Sequence, residues 1–219
     1  MPQFAQVLPP NTPQEVVTVF ELTLKGGITM IPMVLLSVVA LYIFLERVFS
    51  IRKATRNPQS FMKRVKALVL EGNIAAAKEL CVKTKTPIAR MIEKGLHRLG
   101  SPLKNIETSI EYVGKIEVYR LERGLPMLAT IASAAPMLGF LGTVIGMIQA
   151  FMAIAQHEGA VSPQLLSSGI YVAMITTVAG LIVGILTNIG YNYLVAQVQK
   201  VIHNMEYTAM DFMDLLQEP

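Results

Sequence analysis

Residues 125–157 read LPMLATIASAAPMLGFLGTVIGMIQAFMAIAQH, a run of 33 residues without Asp, Glu, Lys or Arg. Two more runs lack these four residue types: Gly26–Leu45, with 20 residues, and Gly159–Gln199, with 41 residues. A helix needs about 20 apolar residues to cross the roughly 30 Å hydrocarbon core of a bilayer. The runs therefore predict an all-α integral membrane protein with three transmembrane helices, at residues 27–45, 127–154 and 165–194.

The composition agrees with a protein that lies in the lipid bilayer. Of the 219 residues, 53% are hydrophobic and 16% are charged, against about 45–50% apolar and about 25% charged in an ordinary soluble domain. Such high apolar content excludes disorder, and the chain outside the spans is too short for an enzyme core of the usual size. The single cysteine, Cys81, excludes an internal disulfide and a Cys-based zinc site, and we expect it to be a small buried residue.

Basic residues are concentrated in one segment of the chain. Seventeen of the nineteen Lys and Arg residues lie between Arg47 and Arg123. Because basic residues near span ends stay in the cytoplasm, we expect residues 46–126 and 195–219 to be cytoplasmic, and residues 1–26 and 155–164 to be external. Seven acidic residues are interspersed in the basic segment and no series of aromatic residues accompanies it. This pattern argues against nucleic-acid binding.

Several capping signals predict helices outside the spans. Thr12-Pro13-Gln14-Glu15 is a capping box that predicts an amphipathic helix within residues 1–26, either lying on the outer membrane interface or extending the first span. In the cytoplasmic segment, the pairs that open helices are Asn57-Pro58, Asn73-Ile74, Thr86-Pro87 and Ser101-Pro102, and Gly72 ends the first of these helices. The cytoplasmic segment is thus predicted to be a small helical domain.

No sequence pattern in this segment indicates catalysis. It contains no Gly-rich phosphate loop, no nucleotide-binding fingerprint and no Ser/His/Asp spacing. His97, His157 and His203 are scattered across both predicted sides of the membrane, which argues against a shared metal site. We therefore expect no catalytic residues, cofactor or metal.

The tail after the third span carries a heptad pattern. Its apolar positions are Val198, Ile202, Met205, Ala209, Phe212 and Leu216, with spacings of three and four residues. We expect the third span to continue as one helix to Leu216, and its apolar seam to pack on the chain's own helix from Ser101 to Gly124. The alternative is an intermolecular coiled coil.

Small residues line the second and third spans at helical spacing. The second span has Ala132, Ala135, Gly139, Thr143, Gly146, Ala150 and Ala153, and the third has Gly169, Ala173, Thr176 or Thr177, Gly180, Gly184 and Thr187. Gly142/Gly146 and Gly180/Gly184 have the G-x-x-x-G spacing of close helix contacts, and Pro136 is expected to kink the second span. Because such stripes need facing helices, we expect them to support self-assembly.

Two threonines lie at matching depths. Thr143 is twelve residues before Ala155, and Thr177 is twelve residues after Leu165, so both hydroxyls are expected about 18 Å inside an antiparallel pair. Each hydroxyl could simply bond the carbonyl one turn back in its own helix, but two at one depth suit a polar ring around an axis. The three spans contain no Asp, Glu, Lys, Arg or His. An ion at the midplane would therefore need an ionisable group from another chain.

These motifs resemble a known family. LERGL at residues 121–125, APMLGFLGTVIGM at residues 135–147, and GI at residues 169–170 with TTVAGL at residues 176–181 are similar to sequences of the ExbB/TolQ/MotA proton-channel family, most closely ExbB. The resemblance covers nearly the whole chain. It implies a multi-pass protein of the bacterial inner membrane, with its N-terminus outside, that forms a homopentamer around an ExbD-like dimer. Each ExbD-like chain carries an aspartate in a single span.

The resemblance also implies a function and a set of site residues. Proton-motive force would drive movement that reaches outer-membrane receptors through a TonB-like protein. Thr143 and Thr177 match the family's pore-facing threonines, and Thr176 lies beside them in the ion pathway. Many ExbB and TolQ proteins have a glutamate where this chain has Val172, which argues against a proton path through a glutamate of this subunit. The alternatives are a TolQ- or MotA-like stator for another process and a membrane scaffold without ion flux.

Overall fold

The computed structural model describes residues 29–55, 58–156 and 163–217. Seven α-helices and no β-strand occur within these ranges. The helices are α1 (Met30–Ala54), α2 (Pro58–Leu70), α3 (Ile74–Thr84), α4 (Pro87–His97), α5 (Leu103–Glu122), α6 (Leu125–Gln156) and α7 (Pro163–Gln217). The all-α fold class is therefore confirmed.

Three of these helices are long and apolar enough to cross a membrane: α1, α6 and α7. The predicted spans 127–154 and 165–194 lie inside α6 and α7, and most of the span 27–45 lies in α1. Residues 27–28, the N-terminal capping box and residues 157–162 of the external loop lie outside the described residues. The chain is thus a multi-pass membrane protein.

The helices α6 and α7 form a long antiparallel hairpin, and α1 packs against one side of it. Gly190 of α7 allows this approach, because a Cβ at this position would lie 3.0 Å from Cδ2 of Phe44 in α1. A Cβ at Gly124 would likewise lie 3.3 Å from Cγ2 of Ile43. Gly124 has a φ of +88°, a left-handed conformation that favours glycine and separates α5 from α6.

The short helices α3 and α4 begin at the predicted caps. The Asn73 side chain accepts a hydrogen bond from the Ala76 amide at 3.1 Å, and the Thr86 hydroxyl accepts one from the Ala89 amide at 3.3 Å. Each bond satisfies an amide that has no partner inside its helix. Gly72, with a φ of +75°, follows the end of α2. The predicted starts of α3 and α4 are therefore confirmed.

Outside the membrane spans, a helical bundle has its core around the end of α7. Val198, Met205 and Phe212 are buried there among residues of α2, α4 and α5. The contact is close at Gly95 of α4, where a Cβ would lie 2.7 Å from Cε1 of Phe212 and 2.8 Å from Cδ1 of Ile110. The continuous helix to residue 216 is confirmed. The apolar seam packs on its own chain, on α4 as well as on the predicted helix α5.

Candidate functional site

The small residues of α6 and α7 bring the two backbones into direct contact. A Cβ at Gly180 would lie 2.6 Å from the carbonyl oxygen of Ala135 and 2.9 Å from Cα of Gly139. A Cβ at Gly139 would lie 3.1 Å from Cα of Thr177. Since side chains essentially never approach so closely, these positions accept only glycine without a shift of the helices.

The same contact continues along the hairpin in both directions. Gly146 faces Ala173, with 2.9 Å between a Cβ at Gly146 and the Ala173 Cβ. In the other direction, a Cβ at Gly184 would lie 2.5 Å from Cγ of Pro136. A Cβ at Gly142 would overlap the Thr176 hydroxyl.

All six residues predicted for helix packing therefore act within one chain: Pro136, Gly139, Gly142, Gly146, Gly180 and Gly184. Within this chain the two stripes face each other across one hairpin, and their part in self-assembly stays a prediction. Sequence spacing identified the residues but contains no information about which chain supplies the facing helix.

Thr176 lies inside the hairpin. Its side chain is buried, and its Oγ1 donates to the Ala173 carbonyl at 2.7 Å, with the Gly139 carbonyl at 3.4 Å. In the single chain this residue is a packing element between the two helices. Its role in an ion pathway stays a prediction.

Thr177 and Thr143 lie at the edge of the α6–α7 contact, and both are half-buried. Thr177 Oγ1 donates across the hairpin to the Gly139 carbonyl at 3.0 Å. Thr143 Oγ1 donates to the Phe140 carbonyl of its own helix at 2.6 Å. Gly139 is four residues before Thr143, so the two threonines lie within about one helical turn of each other along the hairpin. Their role in a pathway stays a prediction.

These hydrogen bonds define what the hydroxyls can do. A hydroxyl has one proton to donate and two lone pairs that accept. With their protons directed at carbonyls, the oxygens of Thr143 and Thr177 can accept from a water molecule or from a protonated carboxylic acid. Donation to an ionised carboxylate would require either hydroxyl to rotate away from its carbonyl.

Two asparagines on α7, which the sequence patterns did not single out, extend the polar side of the hairpin. Asn188 and Asn192 are exposed, and Nδ2 of Asn192 donates to the Asn188 carbonyl at 3.0 Å. Asn188 is eleven residues beyond Thr177, which places it about three turns further on the same side of the helix. Helical spacing from Thr177 is the signal that identifies Asn188 in the sequence.

Arg47 connects α1 to the start of the membrane hairpin. This arginine is 7% exposed, its Nη1 donates to the Arg120 carbonyl at 3.1 Å, and its Nε donates to the Glu46 carboxylate at 2.6 Å. Arg120 precedes the left-handed Gly124 turn between α5 and α6. The bond therefore ties the end of the first span to the start of the second.

A buried carboxylate lies one turn before this junction. Glu117 is 2% exposed and accepts hydrogen bonds from Arg90 of α4 and from Arg120, the second at 2.6 Å. Two guanidinium groups compensate one carboxylate, which is how a buried charge is tolerated. Glu117 is one of the seven acidic residues interspersed in the basic segment, and nothing in its sequence spacing marks it as buried.

Cys81 lies in the core of the helical bundle outside the spans and is buried. Burial raises the pKa of its thiol from 9.0 to about 12, and the charge of Glu93 adds to the shift. A thiol with this pKa is protonated and unreactive at neutral pH. The predicted small buried role is confirmed. Within the described ranges, no three His, Cys, Asp or Glu residues lie close enough to hold a metal ion.

Comparison with known proteins identifies a family and several relatives. The family model described as the MotA/TolQ/ExbB proton channel family matches residues 83–207. A biopolymer transport protein ExbB homolog from Methanothermobacter thermautotrophicus is 30% identical over 191 residues, which are 86% of this chain and 67% of that protein.

Two shorter matches cover about two fifths of this chain. The biopolymer transport protein ExbB of Aquifex aeolicus is 38% identical over 86 residues, which are 39% of this chain and 57% of that protein. The Tol-Pal system protein TolQ of Haemophilus influenzae is 39% identical over 85 residues, which are 39% of this chain and 37% of that protein.

Proposed function

The chain belongs to the MotA/TolQ/ExbB proton channel family, and on that premise we propose that it is an ExbB-like subunit of a motor driven by the proton-motive force. In this proposal it lies in the bacterial inner membrane as a homo-oligomer, a pentamer by resemblance to the family. The α6–α7 hairpins surround an ExbD-like partner with a single membrane span. A TonB-like protein then carries the movement to outer-membrane transporters.

One observation carries the proposal: two half-buried threonine hydroxyls lie within about one turn of each other, in spans that contain no Asp, Glu, Lys, Arg or His. A lone charge near the midplane costs at least about 2.5–3.5 kcal/mol. Neutralising the partner's aspartate with a proton removes that cost. The oxygens of Thr143 and Thr177 can then accept a hydrogen bond from the neutral acid as it passes.

The subunit would therefore supply a polar path, and the partner would supply the ionisable group. Small residues at Gly139 and Gly180 hold the two helices together without using either threonine oxygen's lone pairs. The half-buried positions of Thr143 and Thr177 leave part of each side chain accessible to a group outside the chain.

A TolQ-like stator is the second candidate, because a TolQ protein is 39% identical over 85 residues. Such a stator would use the same hairpin with another partner and another cargo. The third candidate is a membrane scaffold without ion flux, and a measurement of proton uptake distinguishes it from both motor subunits.

The orientation is tested by labelling introduced cysteines in intact cells. With residues 155–164 outside, Ser162→Cys should react with a membrane-impermeant maleimide, whereas Glu206→Cys should react only after permeabilisation. The native Cys81 gives little background near pH 7, because its thiol is buried and its pKa is about 12. Labelling of Glu206→Cys in sealed cells would contradict the orientation.

The threonine roles are tested in vesicles that contain this chain and a single-span partner with a membrane aspartate. Thr143→Val and Thr177→Val keep the side-chain shape and remove the hydroxyl, so each should preserve assembly and lower proton uptake. Thr143→Ser and Thr177→Ser, which keep the hydroxyl, are the matched controls and should retain part of the uptake. Full uptake by the Val double variant would reduce both residues to packing elements.

A further inference from the structure

An open groove of about 930 Å³ lies between α5 and the cytoplasmic end of α7. Methionines from two helices, α4 and α7, line it: Met91, Met205, Met210 and Met213. Flexible, polarisable methionine side chains adapt to partners of different shape. The groove is therefore an apolar surface that can bind the apolar face of a partner helix.

The rim of the groove is acidic. Five exposed carboxylates border it: Glu107, Glu111 and Glu122 on α5, with Glu206 and Asp214 on α7. Lys115 is the one cation among the lining residues, and its Nζ lies 2.7 Å from the Glu111 carboxylate. The rest of the cytoplasmic segment is basic. The groove is thus a local negative surface in a positive domain.

The groove lies on the same side of α7 as Thr177. Glu206 is 29 residues beyond Thr177, about eight turns of a straight helix. A second recess of about 310 Å³ is lined by Tyr191, Val195 and Gln199 of α7. Glu122 lines both volumes. By helical spacing, the acidic groove and the recess therefore lie along the Thr177 side of α7.

We propose that this groove binds the cytoplasmic segment of the single-span partner, as a Lys- and Arg-rich amphipathic helix. The inference rests on the proposed function, which places that partner on the Thr177 side of the hairpin. Basic residues flank the cytoplasmic end of a membrane span by the positive-inside rule. Their charge complements the five carboxylates, and an apolar stripe between them fits the methionines.

The test uses the full-length chain in nanodiscs of zwitterionic phosphatidylcholine. The probe is a fluorescent synthetic peptide with Lys and Leu at amphipathic helical spacing, and its binding is followed by anisotropy. The groove variant combines Glu107→Gln, Glu206→Gln and Asp214→Asn. The matched control combines Glu71→Gln, Glu79→Gln and Asp211→Asn, which remove three charges outside the groove-lining residues.

At low salt, the groove variant should bind the peptide with an affinity about tenfold or more below that of the unaltered chain. The control variant should bind the peptide with the same affinity as the unaltered chain. Equal binding by both variants, or no binding to the unaltered chain, would overturn it. Native mass spectrometry of the groove variant tests the other occupant. Loss of the oligomer would show that the groove binds a second copy of this chain, which would also overturn the proposal. Peptide binding requires no proton flux, so failure of proton uptake would refute the proposed function and leave this result standing.

Discussion

The membrane hairpin and the helical bundle outside the spans, formed by α2 to α5 and the end of α7, are held together in opposite ways. Between α6 and α7, backbones meet at glycines such as Gly139 and Gly180, while large side chains such as Phe140 point away and are 67% exposed. In the bundle, large side chains such as Phe212 are fully buried. One helix, α7, takes part in both arrangements along its length.

The difference follows from the two solvents. Lipid tails are as apolar as leucine, so burying a large side chain between spans gains little, and close van der Waals packing decides the contact. In water, removing apolar area from solvent is the main driving force. Truncating the same type of side chain should therefore lower the free energy of unfolding strongly in one region and hardly change it in the other.

The largest expected effect comes from a matched pair of phenylalanines. Phe212→Ala should lower the free energy of unfolding by about 3–5 kcal/mol, because it empties a core position. Phe140→Ala removes a ring that the chain itself leaves exposed, so the change should be below about 0.5 kcal/mol. Urea unfolding in mild detergent, followed by circular dichroism, measures both. Equal losses for the two variants would contradict the contrast between the regions.

Enlarging a small residue, the reverse of the phenylalanine truncations, tests whether the hairpin depends on close backbone contact. Gly180→Leu should lower the free energy of unfolding by about 1–3 kcal/mol, because the new side chain collides with the Ala135 carbonyl and Gly139. Val178→Leu, at a position 55% exposed, is the control and should have little effect. A Gly180→Leu protein as stable as the unaltered chain would show that the hairpin does not depend on backbone contact.

A smaller effect is expected at the buried charge of the bundle. Glu117→Gln removes the carboxylate that accepts from Arg90 and Arg120, whose side chains are 39% and 61% exposed and partly hydrated. The loss should be about 1–2 kcal/mol after allowance for that hydration. Glu107→Gln, an exposed residue on the same helix, should change stability by less than about 0.5 kcal/mol. The same unfolding measurement compares the two, and equal values would leave the Glu117 cluster without a structural role.

Much of the fold follows from local signals in the sequence. Charge-free runs identify the spans because a charge in hydrocarbon is costly. Asn73 and Thr86 mark helix starts because their side chains satisfy free amides. The heptad from Val198 to Leu216 predicts the long α7 because its spacing is local to one helix.

The remaining features depend on partners distant in sequence. Nothing near Gly146 or Gly184 indicates that the facing helix belongs to the same chain, and nothing near Glu117 indicates Arg90 across the bundle. Thr176 and Thr177 are neighbours of one type, yet one is buried and the other half-buried. A helix turns by about 100° per residue, so only the packed structure separates their surroundings.

In the proposed mechanism, the membrane spans of this chain, which contain no Asp, Glu, Lys, Arg or His, conduct protons only with a carboxylate from another chain. Proton uptake into vesicles tests it with three preparations: this chain alone, the chain with a single-span partner, and the chain with a partner whose membrane aspartate is changed to asparagine. Uptake is expected in the second preparation, with background levels in the first and third, because only the second contains an aspartate that can carry the proton. Equal uptake by this chain alone would contradict it.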